Sequence, residues 1–170
     1  MIWFDKVPFN QFKEDVEKLG MSVWTAEEID SLEKIYESIK LPRRATPDSA
    51  GYDFYLPFNV CFSPDSPAVI PTGVRVFMPQ DYFLMCVPRS GLGFKYGVGL
   101  RNTLGIIDSG YSGSSNFGHI MASITTDEPV SLKQGDRFMQ GIFLRYGLTS
   151  DDSPIMTSRD GGFGSTGGAV

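Results

Sequence analysis

From Leu41 onward, Pro and Gly interrupt the chain so often that it has room only for short extended runs. Pro42 stops any helix that precedes it, because proline removes a backbone donor and its ring clashes with the preceding turn. Between the later breaks lie Tyr52–Leu56, Val69–Met78, Phe83–Val87, His119–Thr125 and Phe138–Leu144, rich in β-branched and aromatic side chains. In Val74-Arg75-Val76-Phe77-Met78 the alternation is partial, the pattern of a strand with one face well buried. Many short strands separated by turn formers specify an all-β body, closed or sandwich-like, with no internal repeat and no second domain.

Residues 1–40 read differently. Phe9, Phe12, Val16 and Leu19 step by three and four, the spacing of one helix face, with Asn10 as the expected N-cap and Gly20 as the stop. Ile29, Leu32, Tyr36 and Ile39 repeat the pattern; Thr25 with Glu28 gives a capping-box signature beside a Trp24/Ile29 staple pair. This segment holds nine acidic and five basic side chains, leaving eleven and ten for the remainder. Polar faces so rich in Glu and Asp repel phosphate, so the acidic helical extension is expected to pack on the body, on a neighbouring subunit or on a protein partner rather than on DNA.

Composition excludes several functions. A chain of 170 residues is long enough to bury one core without disulfides or metal. Cys61 and Cys86 stand far apart inside apolar runs, with no CxxC and one histidine, which argues against a zinc site or Cys–His catalysis. A sequence pI of about 4.8 speaks against general nucleic-acid binding, so any phosphate must meet a few placed arginines. No apolar run reaches membrane-spanning length, and Met1-Ile2-Trp3-Phe4-Asp5 lacks a basic start or a small-residue cleavage site. A cytoplasmic protein without membrane contact is expected.

The chemistry concentrates in Leu100–Gly113, LRNTLGIIDSGYSG. The apolar strand end Leu104-Gly105-Ile106-Ile107 delivers the carboxylate of Asp108 into Ser109-Gly110, with Tyr111 and Gly113 beyond, as at a tight hairpin end. A carboxylate fixed beside an aromatic ring can orient a water and hold a flat or sugar-like group; an isolated Asp-Ser-Gly can equally bond its own turn. Four further stretches stand out. ATPDSAGYDF, residues 45–54, pairs Gly51, where backbone can approach closely, with Asp53; PRSGLGFKYGV, residues 88–98, presents Arg89, the Ser90 hydroxyl and the amides around Gly91, a phosphate cradle or a plain loop. GDRFMQG, residues 135–141, sets Asp136, Arg137 and Gln140 at the start of a strand, with Asp136-Arg137 readable as a structural ion pair. The end, SRDGGFGSTGG at 158–168, is too poor in apolar side chains to build a core and suits a flexible arm that covers a ligand.

In wording and order these five stretches resemble the five motifs of the trimeric dUTP diphosphatases (dUTPases), over about residues 41–167. The resemblance implies a distorted jelly-roll barrel, a homotrimer with each active site shared among chains, and Mg²⁺-dependent hydrolysis of dUTP to dUMP and pyrophosphate. By the same resemblance Asp108 is the base that activates water against the α-phosphorus, and Tyr111 stacks on deoxyribose and excludes a 2′-hydroxyl. Asn102, with Gly105 and Ile106, helps backbone groups read the uracil edge. Arg89, Ser90 and Gly91 bind the phosphates, and Gln140 helps hold the α-phosphate and the water. Asp53 meets the hydration shell of a triphosphate-chelated Mg²⁺. In the arm, from 158 to 170, Phe163 with Gly164 covers the uracil and Arg159 reaches the γ-phosphate.

The sequence departs from the family pattern in three places. Gly110 replaces a usual aspartate, Ser114-Ser115-Asn116-Phe117-Gly118 looks like an insertion beside the sugar pocket, and Arg159 follows the usual arginine position, which Ser158 holds. Two alternatives remain. A related dCTP deaminase needs a catalytic glutamate in the core, and no glutamate lies between Glu37 and Glu128. A non-catalytic nucleotide-responsive binding protein would use the N-terminal helices to dock a partner.

Overall fold

A computed structural model describes residues 1–20 and 25–154. In chain order, β1 is Trp3–Lys6, α1 Phe9–Lys18, α2 Ala26–Ser38, β2 Arg43–Arg44, β3 Tyr52–Tyr55, β4 Val60–Phe62 and β5 Ala68–Pro71. Then come β6 Val74–Phe77, β7 Tyr82–Pro88, α3 Ser90–Tyr96, β8 Gly99–Leu100 and β9 Gly105–Asp108. A 3-10 turn at Ser109–Gly113 precedes β10 Met121–Thr125, β11 Val130–Leu132 and β12 Arg137–Arg145. The strands pair antiparallel throughout, in the orders β2-β3-β12-β7-β9, β5-β10-β8, β11-β4 and β1-β6. This is the expected mostly β body of jelly-roll type with a few helices.

Phe54, Leu56, Ile70, Leu84, Ile124, Phe138 and Met139 are fully buried and form the heart of the core. They sit at alternate strand positions, as a period of two requires; a bulge between Arg137 and Met139 lets adjacent Phe138 and Met139 both turn inward. Each large side chain removed from water contributes about 1.5–3 kcal/mol, which offsets the entropy of ordering so many short strands.

The run expected over Val69–Met78 is two strands rather than one. Gly73 takes φ +71°, a left-handed value open to glycine, and the backbone turns there from one sheet to another. β5 then pairs with β10 and β6 with β1, while the Thr72 hydroxyl donates to the Ile120 carbonyl at 2.7 Å and satisfies the break.

The first 40 residues are not wholly helical. Residues 3–6 lie as a strand on β6, Trp3 stacks on Phe77 at 4.7 Å between ring centres, and Phe4 packs on Tyr52, Phe54 and Phe143. The N-cap of α1 is Pro8, at φ −54° and ψ 144°, and Asn10 lies inside the helix, because Phe9 must reach the face that packs on Tyr36. Phe12 and Val16 are fully buried and Leu19 is 39% exposed, so the apolar face seats itself through its middle. Gly20, at φ +96°, follows the helix end as expected. The Thr25 capping box is present: its side chain accepts from the Glu28 amide and the Glu28 carboxylate accepts from the Thr25 amide. Trp24 of the staple pair and the arm with Arg159, Phe163 and Gly164 lie outside the described residues.

Candidate active site

One cavity of about 370 Å³ opens beside β9. Its lining includes Asn102, Gly105, Ile106, Asp108 and Tyr111, the residues singled out in the Leu100–Gly113 stretch. β8, the turn through Asn102 and β9 make the reversal here, with a bridge between Leu100 and Thr103, which takes φ +69°. Ser109-Gly110 is therefore not the hairpin turn the sequence suggests. Asp108 closes β9 opposite Phe83 of β7, and the chain leaves it as the 3-10 turn, which brings Tyr111 back onto the cavity wall.

Tyr111 is 5% exposed and its hydroxyl is held at two points. It donates to the His119 carbonyl at 2.9 Å and accepts from the Asn116 side-chain amide at 2.8 Å. The Ser114 hydroxyl donates to the Tyr111 carbonyl at 2.7 Å, so the segment after the 3-10 turn folds back and holds the tyrosine from both ends. Cys86 also lines the cavity, and burial pushes its thiol up to about 12.

The remaining expected residues gather elsewhere. Asp53 of β3 is 6% exposed and holds two guanidinium groups: Arg89 Nε at 3.0 Å from Oδ1 and Arg137 Nη1 at 3.0 Å from Oδ2. Arg137 thus pairs with Asp53, not with neighbouring Asp136, whose carboxylate accepts from the Lys133 amide in its own turn. Gln140 lies directly opposite Asp53 in the β3/β12 register, over Gly51. Ser90 and Gly91 begin α3 rather than an open loop, with Arg89 as the N-cap.

None of Asp53, Arg89, Ser90, Gly91 or Gln140 lines the cavity, although Met139 and Cys86 do. Adjacent strand residues point to opposite faces: Asp53, Gln140 and Val87 share one face of the sheet with Ile106 and Asp108, while Met139 and Cys86 lie on the other, core-side face. One face of the sheet therefore carries the Asp108 carboxylate at its β9 edge, Gln140 two strands away on β12, and Asp53 with its two arginines beyond on β3, outside the cavity. Among the described residues, no three His, Cys, Asp or Glu side chains gather to hold a metal ion.

Sequence reasoning missed a buried polar set behind Tyr111. Gln11 and Asp15 of α1 are 6% and 7% exposed, and His119 is fully buried against them. Their signal is faint: Gln11 and Asp15 flank Phe12 and Val16 on one helix face, where polar side chains need buried partners. The Asp15 carboxyl is raised by burial but pulled further the other way by hydrogen bonds from His119 and Gln11 and by the charge of Lys18. It sits below its ordinary value.

A model of the dUTPase family matches residues 37–167. The chain belongs to the dUTPase family. The deoxyuridine 5′-triphosphate nucleotidohydrolase of Lactococcus lactis is 37% identical over 133 residues, covering 76% of this chain and 89% of the relative. Its counterpart in Mycolicibacterium gilvum is 35% identical over 139 residues, with 76% and 89% covered. Among solved structures, the dUTPase from Streptococcus mutans aligns with a TM-score of 0.59 at 35% identity, over 65% of this chain and 88% of that one. A variant of the Staphylococcus bacteriophage 80alpha dUTPase with dUpNHpp aligns at 18% identity with a TM-score of 0.59, over 92% of this chain and 97% of that one, a likeness of fold. The family match begins at Glu37, so β1, α1 and nearly all of α2 precede it. Among the described residues, no helix is long and apolar enough to cross a membrane.

Proposed function

We propose that this dUTPase-family chain hydrolyses dUTP to dUMP and pyrophosphate in the cytoplasm, with Mg²⁺, as a homotrimer with shared active sites. The observation that carries the reading is Asp108 and Tyr111 on the wall of one cavity, beside the outer edge of β9. In this reading uracil enters that cavity. β9 ends its sheet, so the backbone edge at Gly105 and Ile106 faces away from β7 and offers donors and acceptors to the base, with Asn102 at the turn. Cytosine presents the opposite edge pattern and would leave those groups unpaired, which discriminates strongly. Tyr111 lies flat on deoxyribose and leaves no space for a 2′-hydroxyl.

Asp108 accepts a proton from the water that attacks the α-phosphorus; the bond to the bridging oxygen breaks and pyrophosphate leaves. Arg89, with Ser90 and Gly91, neutralises phosphate charge, and Gln140 holds the α-phosphate and the water. In a single chain none of these groups lines the cavity, which supports a site completed by a second copy. The arm then closes, with Phe163 and Gly164 over uracil and Arg159 on the γ-phosphate.

Asp53 suits an ion that arrives chelated by the triphosphate and meets the protein through water. Its two oxygens already bind guanidinium groups and keep lone pairs for water, and no protein cage accompanies it among the described residues. Bound there, Mg²⁺ would neutralise the triphosphate and stabilise the leaving group.

Pyrophosphate release from dUTP, dCTP, dTTP and UTP tests the reading, comparing the chain with Asp108→Asn. Release from dUTP alone, lowered about a thousand-fold or more in Asp108→Asn with nucleotide binding kept, is the expected result. Near-normal turnover in Asp108→Asn would remove it as the base, and no release from any nucleotide would end the enzymatic reading.

A further inference from the structure

His119 links the first helix to the cavity wall. Its Nε2 accepts from the Gly73 amide at 2.8 Å, so the ring proton belongs on Nδ1, which lies 2.7 Å from Asp15 Oδ2. Gln11 donates to the same Asp15 oxygen at 2.9 Å and fixes the carboxylate. The backbone carbonyl of His119 then accepts the Tyr111 hydroxyl, with Asn116 bonded to that hydroxyl from the other side. The loop between them is tight: Phe117 and Gly118 take φ +58° and +73°, and a Cβ at Gly118 would stand 2.7 Å from Ser112 Cα.

Apolar side chains of similar volume would fill the space under α1 at least as cheaply as a buried Gln–Asp–His set. What the polar set adds is direction, since each bond admits one rotamer and one loop position. We propose that Asp15 and His119 are positioning residues that fix the Tyr111 ring against the sugar, so that a helix preceding the family match sets the discrimination of deoxyribonucleotide from ribonucleotide. This rests on the reading that Tyr111 packs on the sugar of dUTP.

The test uses the full chain with Asp15→Leu, which fills the space without a bond, Asp15→Asn, whose amide oxygen still accepts from Nδ1, and Asn116→Ala, in the half-buried loop. Two quantities are measured: amide exchange over residues 114–119, which needs no substrate, and the dUTP-over-UTP ratio of kcat/KM. In Asp15→Leu exchange is expected to quicken and the ratio to fall about ten-fold or more, because ångström-scale misplacement has effects of that order. Asp15→Asn should remain near the parent chain in both, a rescue that filled volume alone does not explain. Asn116→Ala should lower the ratio too, and it keeps the test decisive if Asp15→Leu fails to melt cooperatively. Unchanged exchange in a folded Asp15→Leu, or an unchanged ratio in Asp15→Leu and Asn116→Ala, would overturn the proposal. A parent chain that releases no pyrophosphate from dUTP fails the functional reading instead, and exchange still decides whether Asp15 holds the loop.

Discussion

Gly51 packs its bare Cα against the side chain of Gln140, so closely that a Cβ would overlap Oε1 and stand 3.1 Å from Cδ. The backbone at Gly51 is not left-handed, so Gly51→Ala costs little in conformation and acts by pushing the Gln140 amide aside. The variant is expected to melt within a few degrees of the parent while kcat/KM for dUTP falls about ten-fold or more, about 1.4 kcal/mol of transition-state binding. Steady-state kinetics beside a thermal melt check it; unchanged kcat/KM would take Gln140 out of the phosphate site.

Asp53 is expected to matter for stability as well as for phosphate binding. Breaking a fully buried ion pair costs about 3–5 kcal/mol, but Arg89 and Arg137 are 33% and 42% exposed, so Asp53→Asn should cost nearer 1–2 kcal/mol. Urea unfolding measures this, and a midpoint equal to the parent's would show that the two arginines find other partners.

The Asp15 carboxyl, held below its ordinary value near 3.8, gives a signed pH dependence. A carboxylate depressed by folding contributes stability that is present above the unfolded-state value and lost as pH falls through the folded one. The parent chain should therefore exceed Asp15→Asn in melting temperature near neutral pH, and the gap should close below about pH 3.8. A gap that stays constant with pH would separate Asp15 from this linkage.

The two thiols should differ sharply. Cys86 is buried in the cavity wall with its thiol pushed up to about 12, whereas Cys61 is exposed beside the Ser131 hydroxyl. A thiolate-selective reagent should modify one cysteine per native chain, at Cys61, and two after denaturation. Rapid native labelling at Cys86, located by peptide mapping, would show that the cavity wall opens.

Local chemistry made much of this fold readable. Tyr52–Tyr55, Tyr82–Pro88 and Arg137–Arg145 carry enough β-branched and aromatic residues between breakers to announce themselves, and the Thr25–Glu28 box depends on residues three apart. Asn102, Gly105, Ile106, Asp108 and Tyr111 share a cavity because they share one stretch of chain. What stayed hidden depends on distance. Trp3–Lys6 becomes a strand because β6 offers it an edge, which no four-residue pattern encodes. Asp53 chooses Arg137 over a chain of 84 intervening steps, and Asp15 meets His119 across 104. Gly73, inside a β-rich run, could be read as a bulge or a corner, and only pairing with two different sheets decides for the corner.

The strand at Trp3–Lys6 has a consequence for how the chain survives in solution. It occupies the side of β6 that would otherwise present bare amides and carbonyls, next to apolar Val74 and Val76, and α1 roofs the core behind it with Phe12 and Val16. An uncovered strand edge is a template for other chains. A dUTPase-like body begun at Leu41 would expose that template together with the hollow left by α1, and it is expected to accumulate as insoluble aggregate rather than as a smaller enzyme. The opening residues are in this sense a built-in guard against self-association through the wrong edge.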